Sequence, residues 1–327
     1  MKNSEKTNKS ANTGLTKYLM QSNEIMMLIV LLLVISFFTF MNRNYLSYFN
    51  MTNILLAAST VGLLAIGETC LIIAGHIDLA SASVAALFGT WVAILINAGV
   101  PWPIASLVVV VASVSVGLVN SCLVNIFGLQ PFIATLAISS VCSGLAFIIC
   151  KGKSVPINEE MFIKFGTMKI AGIPFPAILL IVFFIIFGFI LGRTVFGRSV
   201  YMIGGNPTAA CLAGLNPKKI STILYIISAM VAAFAGVLMT AKMHSGQPGG
   251  GAGAEFDAIT AAILGGVAFS GGKGNLRGCF IGLLIMQCFN NGLTVISVSA
   301  FWQIVAKGLI LIAALIFDFF RRERLER

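Results

Sequence analysis

Charge is scarce in this sequence. Of its 327 residues, 10% are Asp, Glu, Lys or Arg, where a soluble globular chain carries about 25%. That deficit points to lipid as the surrounding solvent. Histidine is nearly missing: with only His76 and His244 present, a histidine-based enzyme site has too few members to assemble. The seven cysteines (Cys70, Cys122, Cys142, Cys150, Cys211, Cys279 and Cys288) contain no C-x-x-C pair. Most lie in apolar runs and read as small buried hydrophobes. No H-E-x-x-H metal motif and no G-x-S-x-G nucleophile elbow occurs, so no metal or catalytic site is expected. Two segments imitate a phosphate-binding loop, FIICKGKS at 147–154 and VAFSGGKG at 267–274. Both lack the first glycine, and the second also lacks Ser or Thr after the lysine. Without these, backbone N–H groups cannot wrap a phosphate, so the chain is not expected to hydrolyse ATP or to act as an enzyme. No basic patch interleaved with aromatics is present, which argues against nucleic acid as a partner.

What is present is apolar and long. Hydrophobic residues make up 58% of the chain, arranged in repeated runs long enough for a hydrocarbon core. Spans are expected at 25–40, 53–74 and 81–97, then a fourth after Pro101 and Pro103 ending near 126. Further spans follow at 131–150, 173–191, 220–243, 279–297 and 302–317. The run 258–270 is too short to cross comfortably. It either borrows flanking residues or is re-entrant. The fold class is therefore an all-α polytopic membrane protein with about ten transmembrane helices. One permease-sized domain, 24–320, lies between a disordered polar tail, 1–23, and a basic tail, 321–327. The polar N-terminal segment does not read as a cleaved signal.

Lys and Arg set the expected orientation. The N-terminal tail holds Lys2, Lys6, Lys9 and Lys17, and the C-terminal tail holds Arg321, Arg322, Arg324 and Arg327. With both tails cytoplasmic the number of crossings is even. Ten crossings then leave fourteen basic residues inside and six outside. Connector 192–219 falls inside and loop 151–172 outside.

Several residues stand out against this background. Glu68, His76, Asp78 and Lys307 are ionisable at membrane depth, where a charge faces a bundle interior or a cavity. For Glu68 the choice lies between a transport role and a structural polar pair. Asp78, at a break between spans, reads as a helix cap. Gln287, Asn290, Asn291, Trp302 and Gln303 place amides and an aromatic face in the late spans. They suit either a polar solute path or interhelical hydrogen bonding. Small-residue pairs at spacing four (Gly188/Gly192, Gly278/Gly282, Ser140/Gly144) predict close helix approach. In the connector, Asn206-Pro207 starts a short helix and Gly214 ends it. Its small apolar residues Ala209, Ala210, Leu212 and Ala213 suggest either docking to a partner or packing on the chain's own bundle.

Taken in order, five segments resemble the permeases of ribose-type ATP-binding-cassette sugar importers. They are AGHIDLASAS (74–83), LQPFIATLAI (129–138), FGRSVYMIGGNPTAACLAGLNPKKI (196–220), EFDAITAAILGGVAFSGGKGNLRG (255–278) and NNGLTVISVSAFWQIVAKGLIL (290–311). The resemblance covers nearly everything from Asn53 onward. It implies a fold like that of the cobalamin-importer permeases. It further implies a second permease subunit, identical or not, and two cytoplasmic ATPase subunits or one fused tandem ATPase. An extracytoplasmic sugar-binding protein completes the set. ATP and Mg would be bound by the ATPase, leaving this chain without a cofactor, in a bacterial inner membrane. The connector matches the family's contact with the ATPase, which carries that role to Arg198, Gly204, Gly205, Asn206, Pro207, Ala209, Ala210, Ala213 and Gly214. Asp78, Ser83, Pro131, Glu255, Asp257, Gly265 and Gly266 belong to the family's structural motifs. The family usually reads G-G-I-D-L-S-V-G-S where this chain has His76, Ala80, Ser81 and Ala82 in place of the second Gly, Ser, Val and second-last Gly. Rival readings are a nucleoside or branched-chain amino acid permease and an ion-coupled transporter using Glu68, Asp78 or Lys307.

Overall fold

A computed structural model describes residues 23–326, with side chains described for 24–320. Of the expected tail 1–23, residues 1–22 lie outside the described residues and Asn23 already begins the first helix. Fourteen helices follow in chain order: α1 (Asn23–Met41), α2 (Tyr48–Ile73), α3 (Ser81–Asn97), α4 (Trp102–Ala112), α5 (Val114–Asn125), α6 (Pro131–Ile149), α7 (Glu160–Thr167), α8 (Phe175–Arg193), α9 (Val195–Gly205), α10 (Pro207–Leu212), α11 (Pro217–Met243), α12 (Ala254–Leu264), α13 (Leu276–Val295) and α14 (Ala300–Glu326). Two short antiparallel pairings are the only strands among the described residues: Val155–Pro156 with Ser245–Gly246, and Lys169–Ile170 with Ile173–Pro174. Helices prevail because each satisfies its own backbone, as lipid requires.

Eight helices among the described residues are long and apolar enough to cross a membrane, counting Trp102–Asn125 as one. This is fewer than the expected ten, for two reasons. Helix α3 is apolar but has 17 residues, and α12 has 11. An 11-residue helix is only about 16 Å long, roughly half the hydrocarbon thickness. Within Trp102–Asn125, Ser113 interrupts the helix. Its hydroxyl donates back to the Val110 carbonyl at 2.7 Å, a local bond that competes with the helical ladder.

Long-range contacts sort the connections into two ends. At one end Tyr48 Oη donates to the Gly172 carbonyl at 2.6 Å, Asn97 Nδ2 to Pro156 O at 2.9 Å, and Asn42 Nδ2 to Val295 O at 3.3 Å. At the other, Gly272 N donates to Ile73 O at 2.8 Å, Tyr201 Oη to Gly274 O at 2.8 Å, and Asn125 Nδ2 to Lys218 O at 3.2 Å. The first is called the loop end, since it holds loop 150–174, and the second the connector end. Helix α12 joins them by combining its short length with non-helical glycine-rich chain on both sides. That chain is only partly buried: Gly246, Pro248 and Gly271 are inside, while Gly249, Ala252, Lys273 and Asn275 are exposed.

The core lies around α2 and α11, which are largely buried, while α1 and α14 are almost wholly exposed. Glycine decides how closely helices approach at α12 and α13. A Cβ on Gly282 would overlap the Ala261 carbonyl, and one on Gly278 the Gly265 carbonyl. This Gly278/Gly282 pair therefore does what its spacing predicts. The other two pairs do not: nothing lies within 4 Å of a Cβ built on Gly144, Gly188 or Gly192. Replacing Gly282 with valine is expected to destabilise the protein by about 1–3 kcal/mol through overpacking. A thermal unfolding midpoint in detergent reports it, and an unchanged midpoint contradicts the tight α12–α13 contact.

Candidate functional site

The connector between α8 and α11 is fixed by caps. Thr194 accepts from Gly197 N at 3.1 Å to start α9. Asn206 accepts from Ala209 N at 2.9 Å to start α10, with Pro207 at its first position. Gly214 takes a positive φ of 82°, and Leu215 N returns to Ala210 O at 3.0 Å, closing the helix in the glycine-ended manner. Asn216 then caps α11 through Lys219 N at 3.1 Å. Gly204 and Gly205 form the root of this projection. A Cβ on Gly204 would overlap the Ile73 carbonyl, and Gly271 and Gly272, both at positive φ, close in from the other side.

One expected member of the exposed face points the other way. Ala210 is buried against the chain's own structure, because one side of a one-and-a-half-turn helix must face the body that carries it. Thr208, Ala209, Cys211 and Ala213 are exposed, and Leu212 is 87% exposed. Leu212 thus dominates the outward face. Cys211, expected as a buried hydrophobe like the others, is exposed as well. Arg198, Lys218 and Lys219 are exposed around the helix.

Inside the bundle, the break between α2 and α3 is built on carboxylates. Glu68 is fully buried, and its Oε2 accepts from Asp78 N at 3.4 Å. Asp78 Oδ2 accepts from Ser228 Oγ at 2.8 Å, and its Oδ1 accepts from Ala80 N at 3.0 Å. Asp78 therefore folds the turn before α3 and ties it to α11. It does not cap α3, whose N-cap is Ala80 without a side-chain bond. His76 Nδ1 lies 3.4 Å from Tyr225 Oη, and Leu79 N donates to Thr135 Oγ1 at 3.1 Å. Ser83 and Ser139 share a hydrogen bond of 2.7 Å. Pro131 sits in the first turn of α6. So Asp78 and Ser83 serve as joints between helices.

A second polar group joins three helices. Lys307 on α14 contacts Asp257 on α12 at 2.7 Å, and Asn290 Nδ2 on α13 donates to the same carboxylate oxygen at 3.4 Å. Glu255, two residues earlier on α12, has a buried Oε2 without a hydrogen-bond partner, as have Asn290 Oδ1, Gln287 Nε2 and Glu68 Oε1. Gly265 ends α12, and Gly266 follows at φ 81°.

The six residues expected along a solute path are thus not one cluster. Asn290 belongs to the Asp257–Lys307 group and Glu68 to the Asp78 group. Asn291 exchanges two amide hydrogen bonds with Asn50 on α2, at 2.8 and 2.9 Å. Gln303 Nε2 donates to Val298 O at 2.8 Å and holds the α13–α14 turn. Gln287 is buried, while Trp302 points outward and is exposed. The Lys307–Asp257 pairing was not visible in the sequence, where fifty residues separate the partners. Nothing in the sequence marks Asn50 as the partner of Asn291 or Ser228 as that of Asp78. The only signal for Asn50 is an amide in the first turn of an apolar helix.

The comparisons with known proteins decide what kind of molecule carries these groups. Residues 50–315 match the family described as "Branched-chain amino acid transport system / permease component". This chain belongs to that permease family. Among its relatives, the ribose import permease protein RbsC of Bacillus subtilis (strain 168) is 35% identical, covering 89% of this chain and 90% of its own length. The L-arabinose ABC transporter permease protein AraH of Azospirillum brasilense is 34% identical, over 96% of this chain and 92% of its own. The probable ABC transporter permease protein YphD of Escherichia coli (strain K12) is 33% identical, over 92% and 91%. No solved structure matches this permease with significance. All five motif segments lie within the matched residues, and the permease is a polytopic membrane protein of the transporter class.

Proposed function

We propose that this permease carries a monosaccharide across a bacterial inner membrane, driven by ATP hydrolysis in separate ATPase subunits. Its near full-length similarity to proteins named as ribose and arabinose permeases supports a sugar over an amino acid. The projecting helix α10 is the observation that supports ATPase coupling. It is preformed by Asn206, Pro207 and Gly214, so little ordering entropy is lost when it docks. Leu212 offers an apolar anchor, and Arg198, Lys218 and Lys219 offer charges to an acidic rim, which act on association rate more than on affinity. Closure of the ATPase pair would move this helix as a lever and switch a paired-permease path between two openings. A binding protein would deliver the sugar at the loop end. The polar groups at Glu68–Asp78 and Asp257–Lys307–Asn290 are the candidates for elements that shift between the two states.

This reading puts the connector end and both tails in the cytoplasm, following the excess of Lys and Arg. Native Cys211 on α10 and a cysteine replacing exposed Asn158 in loop 150–174 test it. A membrane-impermeant maleimide should reach position 158 from outside in intact spheroplasts and Cys211 only after permeabilisation. Labelling of both from one side contradicts the orientation. Substrate class is tested by deletion: loss of the chain should abolish uptake of one labelled monosaccharide and leave leucine uptake unchanged. The opposite pattern would favour the amino acid reading.

A further inference from the structure

A groove of about 770 Å³ lies between α8 and α13 toward the connector end. Its walls are Ile181, Phe184, Ile185 and Phe189 on α8 and Phe280 and Ile281 on α13. Ile181, Ile185 and Phe189 are exposed, as the lipid-facing side of a spanning helix is. Gly188 and Gly192 keep the groove open, since nothing in the chain comes within 4 Å of a Cβ at either position. The apolar part runs along the membrane-spanning length of α8.

Its upper end is charged. Arg193, the last residue of α8, and Arg277, in the first turn of α13, both line it and are both exposed. Neither is ion-paired among the described residues. They sit where two spanning helices leave the hydrocarbon, the depth of lipid headgroups. The positive end of the 20-residue α13 opens at the same place. Glu24, in the first turn of α1, is the opposing charge on the rim. Tyr201 also lines the groove, but its hydroxyl is committed to Gly274 O.

We infer that this groove binds one anionic phospholipid from the connector-end leaflet, an acyl chain along α8 and the phosphate between Arg193 and Arg277. Basic pockets between spanning helices recognise acidic headgroups in this way. The segment before Glu24 is a poorer occupant. It carries four lysines and one glutamate, so two arginines at the mouth repel it. A lipid here would brace α8 against α13 beside the root of α9, and so adjoin the connector that the proposed function assigns to coupling. The lipid site itself stands on geometry and charge, independent of that reading.

The test uses the full-length protein with Phe189→Trp in nanodiscs of phosphatidylcholine holding a minor fraction of brominated lipid. Quenching is read as the difference from the same protein without the substitution. Brominated phosphatidylglycerol should be preferred over brominated phosphatidylcholine by roughly tenfold, because two arginines each favour an anion about fivefold and Glu24 opposes them. The variant R193Q/R277Q should lose the preference, and R193K/R277K should keep most of it. K218Q/K219Q removes equal charge from the same end and should leave the preference intact. Equal quenching by both lipids overturns the inference, as does a preference that survives R193Q/R277Q. Loss in K218Q/K219Q as large as in R193Q/R277Q would mean a general surface field and no site. A preference that emerges only when residues 2–22 are deleted would make the chain's own segment the occupant.

Discussion

Leu212→Asp is expected to abolish co-purification of the ATPase subunits and ATP-driven uptake, while the permease still inserts and unfolds at its usual temperature. Leu212 is 87% exposed, so the substitution costs the free chain almost nothing. In a docked complex it removes about 1.5–3 kcal/mol of apolar burial and desolvates an unpaired carboxylate, which adds several more. Each 1.4 kcal/mol is tenfold in affinity, so binding should fall by roughly a thousandfold or more. The contrast with Ala210→Asp is diagnostic. Ala210 is buried in this chain, so that variant should fail at the level of the permease itself. Arg198→Glu should be milder and sensitive to salt, because exposed charges are screened beyond about 10 Å at 0.1 M. Retained ATPase binding and transport in Leu212→Asp would move the contact away from α10, with loop 271–278 the next candidate.

Lys307→Met is expected to be more damaging than the double change Asp257→Leu/Lys307→Met. Among the described residues Lys307 is the only cation paired with Asp257, whose other side-chain partner is the longer bond from Asn290. Removing the lysine leaves a buried carboxylate inside a membrane protein. Breaking a buried pair from one side costs about 3–5 kcal/mol, whereas replacing both partners with apolar groups is often close to neutral. Helix α14 should loosen most. Its other anchors include the buried Ala314, the Gln303 bond to Val298 O, and the bond from Phe269 N to Asp318 Oδ2 at 3.2 Å. Thermal unfolding of the two variants in detergent ranks them, and limited proteolysis near α14 locates the change. If the double variant is as unstable as the single, the pair is not what holds α14. If the stable double variant is inactive, the pair has a role in transport beyond packing.

Local chemistry made much of this fold legible. Asn206-Pro207, Gly214 and Asn216-Pro217 announce two helix starts and a stop, and each cap forms as its residue type demands. The long spans follow from run length, and the Gly278/Gly282 approach follows from spacing. Burial direction on α10 was not legible, because a six-residue helix of small apolar residues has no amphipathic stripe to show which side faces inward. The shortness of α12 was legible in the run 258–270, but where the helix ends was not. Its apolar run continues through Val267 to Ser270, but Gly265 and Gly266 end the helix before it. The interior polar joints are pairings across large sequence distances: Asn50 with Asn291, Asp78 with Ser228, Asp257 with Lys307. No periodicity reports a partner 50 to 241 residues away. The same limit explains why the sequence leaves Asn291 and Gln303 open between a solute path and interhelical hydrogen bonding, whereas in the fold their amides bond Asn50 and the Val298 carbonyl.

The most direct test of the central claim is transport by the reconstituted system. The purified permease is placed in vesicles with its ATPase partner and a cognate binding protein, and accumulation of labelled ribose, arabinose and leucine is followed. Accumulation of one monosaccharide is predicted, only with ATP on the connector side and binding protein on the loop side, and none of leucine. Sugar accumulation by the permease alone under a proton gradient, or ATP-dependent accumulation of leucine, would contradict it.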